Sequence, residues 1–196
     1  MRRVVVASKN PDKIAEVEAV LGDLGGFEVV RDVEWPDVDE TEDSLLGNAL
    51  LKARTVASAT GLEALADDTG LEVTALDGAP GVHTARFAGP DATYAQNVKR
   101  LLEELDGIAD RSARFRTVVA LVSPTGEEVV AGGTLEGRIT EVARGEGGFG
   151  YDPVFEVGDR TLAEIPATEK NRISHRGRAL RALGAQLSDE KDGAPA

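Results

Sequence analysis

Two adjacent aspartates in the stretch ADDTG (residues 66–70) could supply the carboxylates of a catalytic site. Successive residues of a strand point to opposite faces, so Asp67 and Asp68 can share a site only where the strand is ending. The threonine-glycine pair that follows predicts a turn at this point. Magnesium takes one or two carboxylates together with waters and phosphate oxygens, and Glu40 could be the second ligand. An aspartate-rich turn without chemistry is the plainer alternative.

The stretch SKNPDK, from Ser8 to Lys13, could hold phosphate. It follows a short apolar run that predicts a buried strand, and it opens a helix capped by Asn10 with Pro11 in the first turn. The first amides of a helix lack partners inside it and lie at the positive end of its dipole, so they attract anions, and Lys9 or Lys13 would add charge. The glycines of a GxxxxGK[ST] loop are missing, so an ordinary helix cap is the alternative.

The loop GEGGFGYDPVF (residues 145–155) combines four glycines with aromatic side chains. Phe149 or Tyr151 could stack on a planar base, and the glycines would let the backbone approach its edge. Asp152 could accept a hydrogen bond from a ring N–H or a ribose hydroxyl. The alternative is that these aromatic residues only anchor the loop in a core.

Two further positions carry weaker signals. Lys52 follows Asn48 by four residues, so both side chains share one face of a predicted helix. His175 lies between Ser174 and Arg176 at a predicted helix start, which favours hydrogen-bond donors directed at a ligand. The other histidine of the chain is far away in sequence, so a histidine-based metal site is not indicated. At the His175 position, a capping Ser174 with two exposed basic neighbours is an equally good explanation.

Composition narrows the class of protein. The chain has 196 residues, 41% of them apolar, no cysteine and a formal net charge of −13. Disulfides, thiolate metal sites and a catalytic cysteine are excluded, and the charge disfavours binding to nucleic acid or to anionic membranes. The apolar run at the N-terminus is too short for a signal peptide, so we expect a soluble, cytoplasmic protein. An acidic segment (32–51) and a basic one (170–188) could form two walls of a site for a metal with an anionic ligand, or be two solvated faces.

Helical and strand patterns alternate early in the chain and a hairpin follows late, which predicts a mixed sheet covered by helices. We expect one domain over residues 1–188 and a disordered tail over 189–196. The segment LEALADDTGLEVTALDG is expected to form two short strands around a turn at residues 68–70. The other predicted elements are a strand at 3–8, a helix after Asn10, a strand at FEVVRD, helices at 44–59 and 92–105, a hairpin over 113–145, a strand at PVFEV, and a last helix from Ser174 or His175 to about Leu187.

The order of six motifs resembles the inosine triphosphate pyrophosphatase family, also called dITP/XTP pyrophosphatases. The motifs are SKNPDK, NALLKAR, ADDTGL, PGVHTARFAG, GGFGYDPVF and EKNRISHRG, and the resemblance runs from about residue 3 to 187. It implies an elongated mixed sheet with flanking helices, forming two lobes around a central substrate cleft, in a homodimer. It also implies magnesium-dependent hydrolysis of deaminated purine nucleoside triphosphates to the monophosphate and pyrophosphate.

The same resemblance implies roles for individual residues. Glu40 and Asp68 would bind the metal, and Asp68 would also accept a proton. The residues that it places around the substrate are Ser8, Lys9, Asn10, Pro11, Asp12, Lys13, Lys52, Thr69, Phe149, Gly150, Tyr151, Asp152, Lys170, His175 and Arg176.

Two positions depart from the family pattern. Gly47 stands where the family usually has a glutamate, and Glu40, Glu42 or Asp43 could compensate. His83 and the threonine after it stand where the family often has Tyr-Ser, which is a milder change. The first departure leaves open an alternative, a catalytically impaired nucleotide-binding or sensor protein of the same fold.

Overall fold

Eight strands form one mixed sheet in the computed structural model, which describes residues 1–192. The strands are β1 (Arg2–Val6), β2 (Phe27–Val29), β3 (Glu63–Val73), β4 (Pro80–Gly81), β5 (Ser112–Val122), β6 (Glu128–Ile139), β7 (Phe155–Val157) and β8 (Arg160–Thr161). Their order is β2-β1-β3-β5-β6-β7-β8, and β4 pairs with β3. β1 runs parallel to β2 and β3, whereas β4 on β3, β7 on β6 and β8 on β7 are antiparallel.

Five α-helices accompany the sheet within the described residues, and side chains fix the starts of three of them. Asn10 accepts hydrogen bonds from the amides of Asp12 and Lys13, and Ser44 accepts one from the amide of Gly47. Thr93 forms a reciprocal capping box at the start of the third helix. The helices are α1 (Pro11–Leu24), α2 (Leu45–Thr60), α3 (Tyr94–Glu104), α4 (Ala167–Ile173) and α5 (His175–Asp192).

The chain divides into two compact units. The first unit comprises residues 1–68, 117–133 and the part from 175 onward, and the second comprises 69–116 and 134–174. Strands β3, β5 and β6 each contribute residues to both units.

In the first unit, helices cover both faces of the sheet. Val4 and Leu65 belong to an apolar cluster with residues of α1 and α5, whereas Val5, Ala64 and Ala66 belong to a second cluster with residues of α2. Neighbouring residues of β1 and β3 therefore pack against different helices, as the alternation of a strand requires.

In the second unit, one core joins α3 to the sheet. Leu101 of α3 and Leu105, directly after the helix, pack with residues of β3, β5, β6 and β7, and the rings of Phe115 and Phe155 lie 4.6 Å apart. The buried guanidinium of Arg111 donates to the carbonyls of Leu105, Ile139 and Thr140, which ties the end of α3 to the end of β6.

Most predicted elements are confirmed, and two predictions are wrong. The turn predicted at residues 68–70 does not exist, because β3 is one continuous strand through that segment. The last helix does not end near Leu187 but continues to Asp192, and residues 193–196 of the predicted tail lie outside the described residues. The substrate cleft stays a prediction. Among residues 1–192, no helix combines the length and apolar character needed to span a bilayer.

Candidate active site

The strand β3 directs its two aspartates into different surroundings. Asp67 contacts side chains of α1 and α5, whereas Asp68 contacts side chains of α2. The strand continues past both residues, so they do not share one face as a terminating strand would have allowed. Both side chains are buried, at 5% relative exposure each. The chain therefore builds two carboxylate centres here.

Glu40 and Asp68 converge on one ammonium group. Lys52 Nζ lies 2.6 Å from Glu40 Oε1 and 3.1 Å from Asp68 Oδ1, and it also donates to the carbonyl of Asp67 at 2.7 Å. The acidic segment before α2 thus approaches the middle of β3, as the predicted metal site requires. The face of α2 that carries Lys52 therefore contacts both predicted metal ligands.

Asn48 lies one turn before Lys52 and joins the same group. Its Nδ2 donates to Asp68 Oδ2 at 3.4 Å, and its Oδ1 accepts from the amide of Glu42 at 3.1 Å. The side chain is fully buried. A single asparagine therefore connects the acidic segment to the carboxylate of Asp68.

Burial and charge have opposite effects on these groups. Burial, with the nearby charge of Glu40, raises the pKa of Asp68 above its ordinary value, although Lys52 opposes the shift. Burial works against the charged Lys52 ammonium, but the carboxylates of Asp68 and Glu40 outweigh it and raise the pKa of Lys52. A carboxylate with a raised pKa is better suited to accept a proton than an ordinary aspartate.

Asp67 is the centre of a closed ion-pair network. Arg176 donates to Asp67 Oδ2 from Nε at 3.3 Å and from Nη2 at 3.1 Å, and its Nη1 donates to Glu16. Lys13 Nζ lies 3.6 Å from the same Asp67 oxygen. Burial alone would raise the pKa of Asp67, but Lys13 and Arg176 hold it far below its usual range. Arg176, which the resemblance places at the substrate, therefore already forms ion pairs with two carboxylates, those of Asp67 and Glu16.

The stretch from Ser8 to Lys13 forms the predicted strand-loop-helix connection, but its helix amides are already partnered. Asn10 Oδ1 accepts from the amides of Asp12 and Lys13, Asn10 O accepts from the amide of Ile14, and Pro11 has no amide hydrogen. Ser8 Oγ accepts from the amide of Asn10 at 3.2 Å. Phosphate binding here would depend on side chains of the stretch rather than on open helix amides. Lys9, at its start, is exposed and pairs with Asp37.

The donor set suits a hard cation held in part by its substrate. The carboxylate oxygens of Glu40 and Asp68 lie around one position, which the ammonium group of Lys52 occupies in this structure. In the part of the chain that the structure describes, no group of three or more His, Cys, Asp or Glu side chains is placed to hold a metal ion. Two carboxylates complemented by water and phosphate oxygens fit magnesium, which seldom relies on an all-protein cage.

Asp152 organises the glycine loop of the second unit. Its Oδ2 accepts from the amide of Phe149 at 2.8 Å and from the Nζ of Lys170, and Lys170 Nζ lies 5.1 Å from the centre of the Phe149 ring. Gly148 has φ +69°, and a Cβ atom there would lie 2.0 Å from Asp152 Oδ2. The glycine is needed because the backbone closes around this carboxylate.

The two aromatic residues of the loop differ in accessibility. Tyr151 is buried in the core of the second unit and donates its hydroxyl to the carbonyl of Thr84 at 2.9 Å, and burial raises its pKa. Phe149 is partly exposed and lines a cavity of about 940 Å³. Of the two predicted stacking residues, Phe149 is therefore the accessible one. Gly150, between them, has φ +62°.

The remaining predicted residues have less defined roles. His175 is buried at the start of α5, next to Arg176. Thr69 is partly buried in β3 and belongs to the second unit. Sequence reasoning overlooked Glu16, although it follows Lys13 by three residues on α1, a spacing that places two side chains on one helix face.

The presence of glycine at residue 47 has a steric explanation in this chain. A Cβ atom at residue 47 would lie 2.7 Å from Glu42 Cβ and 2.9 Å from Glu42 Cγ. The side chain of Glu42 therefore occupies the space that a side chain at residue 47 would need. A glutamate cannot be introduced there unless Glu42 moves.

Comparisons with known proteins agree with one another. The sequence model of the Ham1 family matches residues 4–186. A dITP/XTP pyrophosphatase from an Exiguobacterium species is 46% identical over 190 residues, which cover 94% of this chain and 96% of that protein. The structure of a HAM1 protein from Coxiella burnetii superposes with a TM-score of 0.86 at 42% identity, over 96% of this chain and all of that one. A Mycobacterium abscessus structure described as a nucleoside-triphosphatase and dITP/XTP pyrophosphatase gives 0.72 at 46% identity, over 92% and 98% of the two chains.

Proposed function

The chain belongs to the Ham1 family, and on that basis we propose that it hydrolyses deaminated purine nucleoside triphosphates, namely ITP, dITP and XTP, to the nucleoside monophosphate and pyrophosphate. The observation that carries the proposal is the convergence of Glu40 and Asp68 on Lys52. This arrangement would supply a proton acceptor, a pair of cation ligands and a cationic side chain within one small region. Removal of such nucleotides from the pool is the resulting role, and we place it in the cytoplasm, where that pool is used.

The triphosphate needs local positive charge, because it carries about four negative charges and the protein has a net charge of −13. In the first unit, the Nζ of Lys52 lies 3.1 Å from Asp68 and the Nζ of Lys13 lies 3.6 Å from Asp67. Ser8 and Lys9 would add contacts from the loop before α1. Glu40 and Asp68 would hold a magnesium ion, which supplies charge neutralisation on the phosphates and lowers the pKa of a bound water.

Hydrolysis joins a water oxygen to the α-phosphorus and breaks the bond from that phosphorus to the bridging oxygen of the β-phosphate. Pyrophosphate leaves with the bridging oxygen, and the proton of the water passes to Asp68 and then to solvent. The raised pKa of Asp68 favours this transfer. Asn48 and Lys52 hold both oxygens of the carboxylate and so fix its direction. Positioning and charge neutralisation are the main requirements of such a displacement.

The purine base would bind in the second unit, against Phe149 and near Lys170. Hypoxanthine and xanthine have a 6-keto acceptor where adenine has an amino donor, so a hydrogen-bond donor such as Lys170 would find an acceptor in the former and would meet a second donor in adenine, whose amino group would then lack a partner. An unpaired buried donor costs about 1–3 kcal/mol, up to about a hundredfold in affinity. His175 and Arg176 are the other candidate donors that the family resemblance suggests.

The decisive experiment is product analysis on a panel of purine triphosphates with and without magnesium. We expect pyrophosphate and the monophosphate from ITP, dITP and XTP, little turnover of ATP, and loss of activity in EDTA that magnesium restores. Orthophosphate as the first product would contradict the proposed reaction. Binding of ITP without turnover would support the catalytically impaired alternative instead. We also propose a homodimer, as in the family that the motifs resemble, which light scattering on the purified protein would test.

A further inference from the structure

A second aromatic side chain lies next to Phe149. The ring of Tyr94, the first residue of α3, has its centre 5.9 Å from that of Phe149, with 40° between the planes. The two residues line the same cavity of about 940 Å³, and Tyr94 is 42% exposed. Aromatic pairs at this separation attract one another beyond the area that they bury.

Hydrogen bonds attach both elements that carry these rings, α3 and the glycine loop, to one short segment, residues 84–88. On the side of α3, the buried Asn97 accepts from the amide of Ala88 at 2.8 Å and donates to the carbonyl of Ala85 at 2.9 Å. On the side of the glycine loop, Tyr151 donates its hydroxyl to the carbonyl of Thr84. Because both elements are attached to the same segment, the distance between the two rings is set by the fold.

The start of α3 is also defined by its cap. Thr93 Oγ1 accepts from the amide of Gln96, and Gln96 Oε1 accepts from the amide of Thr93. This box fixes the first turn of the helix, where Tyr94 stands. Phe149, in contrast, lies in a loop with glycines on both sides, at residues 147, 148 and 150. A ring in such a loop needs external contacts to hold one orientation.

We propose that Tyr94 is a positioning residue for the nucleobase site: its ring holds the Phe149 ring in the orientation that receives the purine. This inference rests on the proposed function, since it requires a base at Phe149. Lys170 and Asp152 constrain Phe149 from one side through the ring contact and the backbone amide. Tyr94 supplies a constraint from a different element, α3, whose start is fixed by its own capping box.

The test compares Tyr94→Ala with the matched variant Tyr94→Phe, which keeps the ring. We expect Tyr94→Ala to raise the KM for ITP about 2- to 10-fold, the size of one aromatic pair, with kcat within twofold of wild type. Tyr94→Phe should stay within twofold in both. Inhibition by inorganic tripolyphosphate, which has no base, should be unchanged in both variants. An unchanged or lower KM in Tyr94→Ala, or an equal change in tripolyphosphate inhibition, would overturn the inference.

A double-mutant cycle with Phe149→Ala separates positioning from general stability. If Tyr94 acts through Phe149, its removal has no further effect on the KM once Phe149 is absent. Full additivity of the two changes overturns the inference. Wild-type protein that releases no pyrophosphate from ITP would refute the proposed function, whereas an active wild type with an unaffected Tyr94→Ala variant would refute only this inference.

Discussion

Asp67 and Asp68 are neighbours in one strand, yet their surroundings give them opposite properties. Asp67 is held by Arg176 and Lys13 and has a strongly lowered pKa, whereas Asp68 shares Lys52 with Glu40 and has a raised one. The difference arises from strand alternation, which directs one side chain towards α1 and α5 and the other towards α2. Two identical residues that are adjacent in sequence can thus differ strongly in pKa because their surroundings differ.

The largest effect is expected from Asp68→Asn. The variant keeps the size and the acceptor of the side chain but removes the proton acceptor, so kcat on ITP should fall about 10²- to 10⁴-fold. Steady-state release of pyrophosphate measures this loss, and ITP binding measured by calorimetry should persist. A kcat within tenfold of wild type would remove Asp68 from the reaction and break the comparison with Asp67.

The next effect is expected from Asp67→Asn, and it concerns stability. The guanidinium of Arg176 would lose one of its two carboxylate partners while remaining buried, so the free energy of unfolding should fall by about 3 kcal/mol. Urea unfolding followed by circular dichroism measures the change. As a control, Lys99→Ala, which removes an exposed ion pair with Glu103, should change the free energy of unfolding by less than about 0.5 kcal/mol. Equal effects of the two variants would show that the network around Asp67 does not support the fold.

The sequence was sufficient for local features and insufficient for distant ones. The cap at Asn10 follows from residue type and helix pattern, and the structure confirms it. The turn predicted after Asp68 is wrong because neighbouring strands and buried apolar residues such as Leu71 override the local turn preference of Thr-Gly. The continuous strand β3 thus depends on pairing with strands that are distant in sequence, which a short motif does not encode.

The same limit applies to the candidate site. Arg176 reaches Glu16 across 160 positions of sequence, and Tyr151 reaches the carbonyl of Thr84 across 67. The choice between Phe149 and Tyr151 as the accessible ring depends on that second contact. Six motifs in a known order predicted the candidate site residues, whereas the different surroundings of Asp67 and Asp68 became visible only in the coordinates.

The smallest expected effect is on acid stability, and it has opposite signs at the two aspartates. The folded-state pKa of Asp67 is below its unfolded value, so its contribution is present above about pH 4 and is lost as the pH falls. The folded-state pKa of Asp68 is raised, so its ionised form opposes folding near neutrality, and this penalty disappears as the pH falls through that pKa.

Urea unfolding between pH 7 and pH 3 in EDTA measures both effects. Asp67→Asn should abolish about 1 kcal/mol of the acid loss seen in wild type, since protonation of the unfolded chain causes it. Asp68→Asn should instead gain most relative to wild type at pH 7 and converge with it at pH 3. Parallel pH profiles for the two variants would mean that strand alternation does not separate the two carboxylates electrostatically.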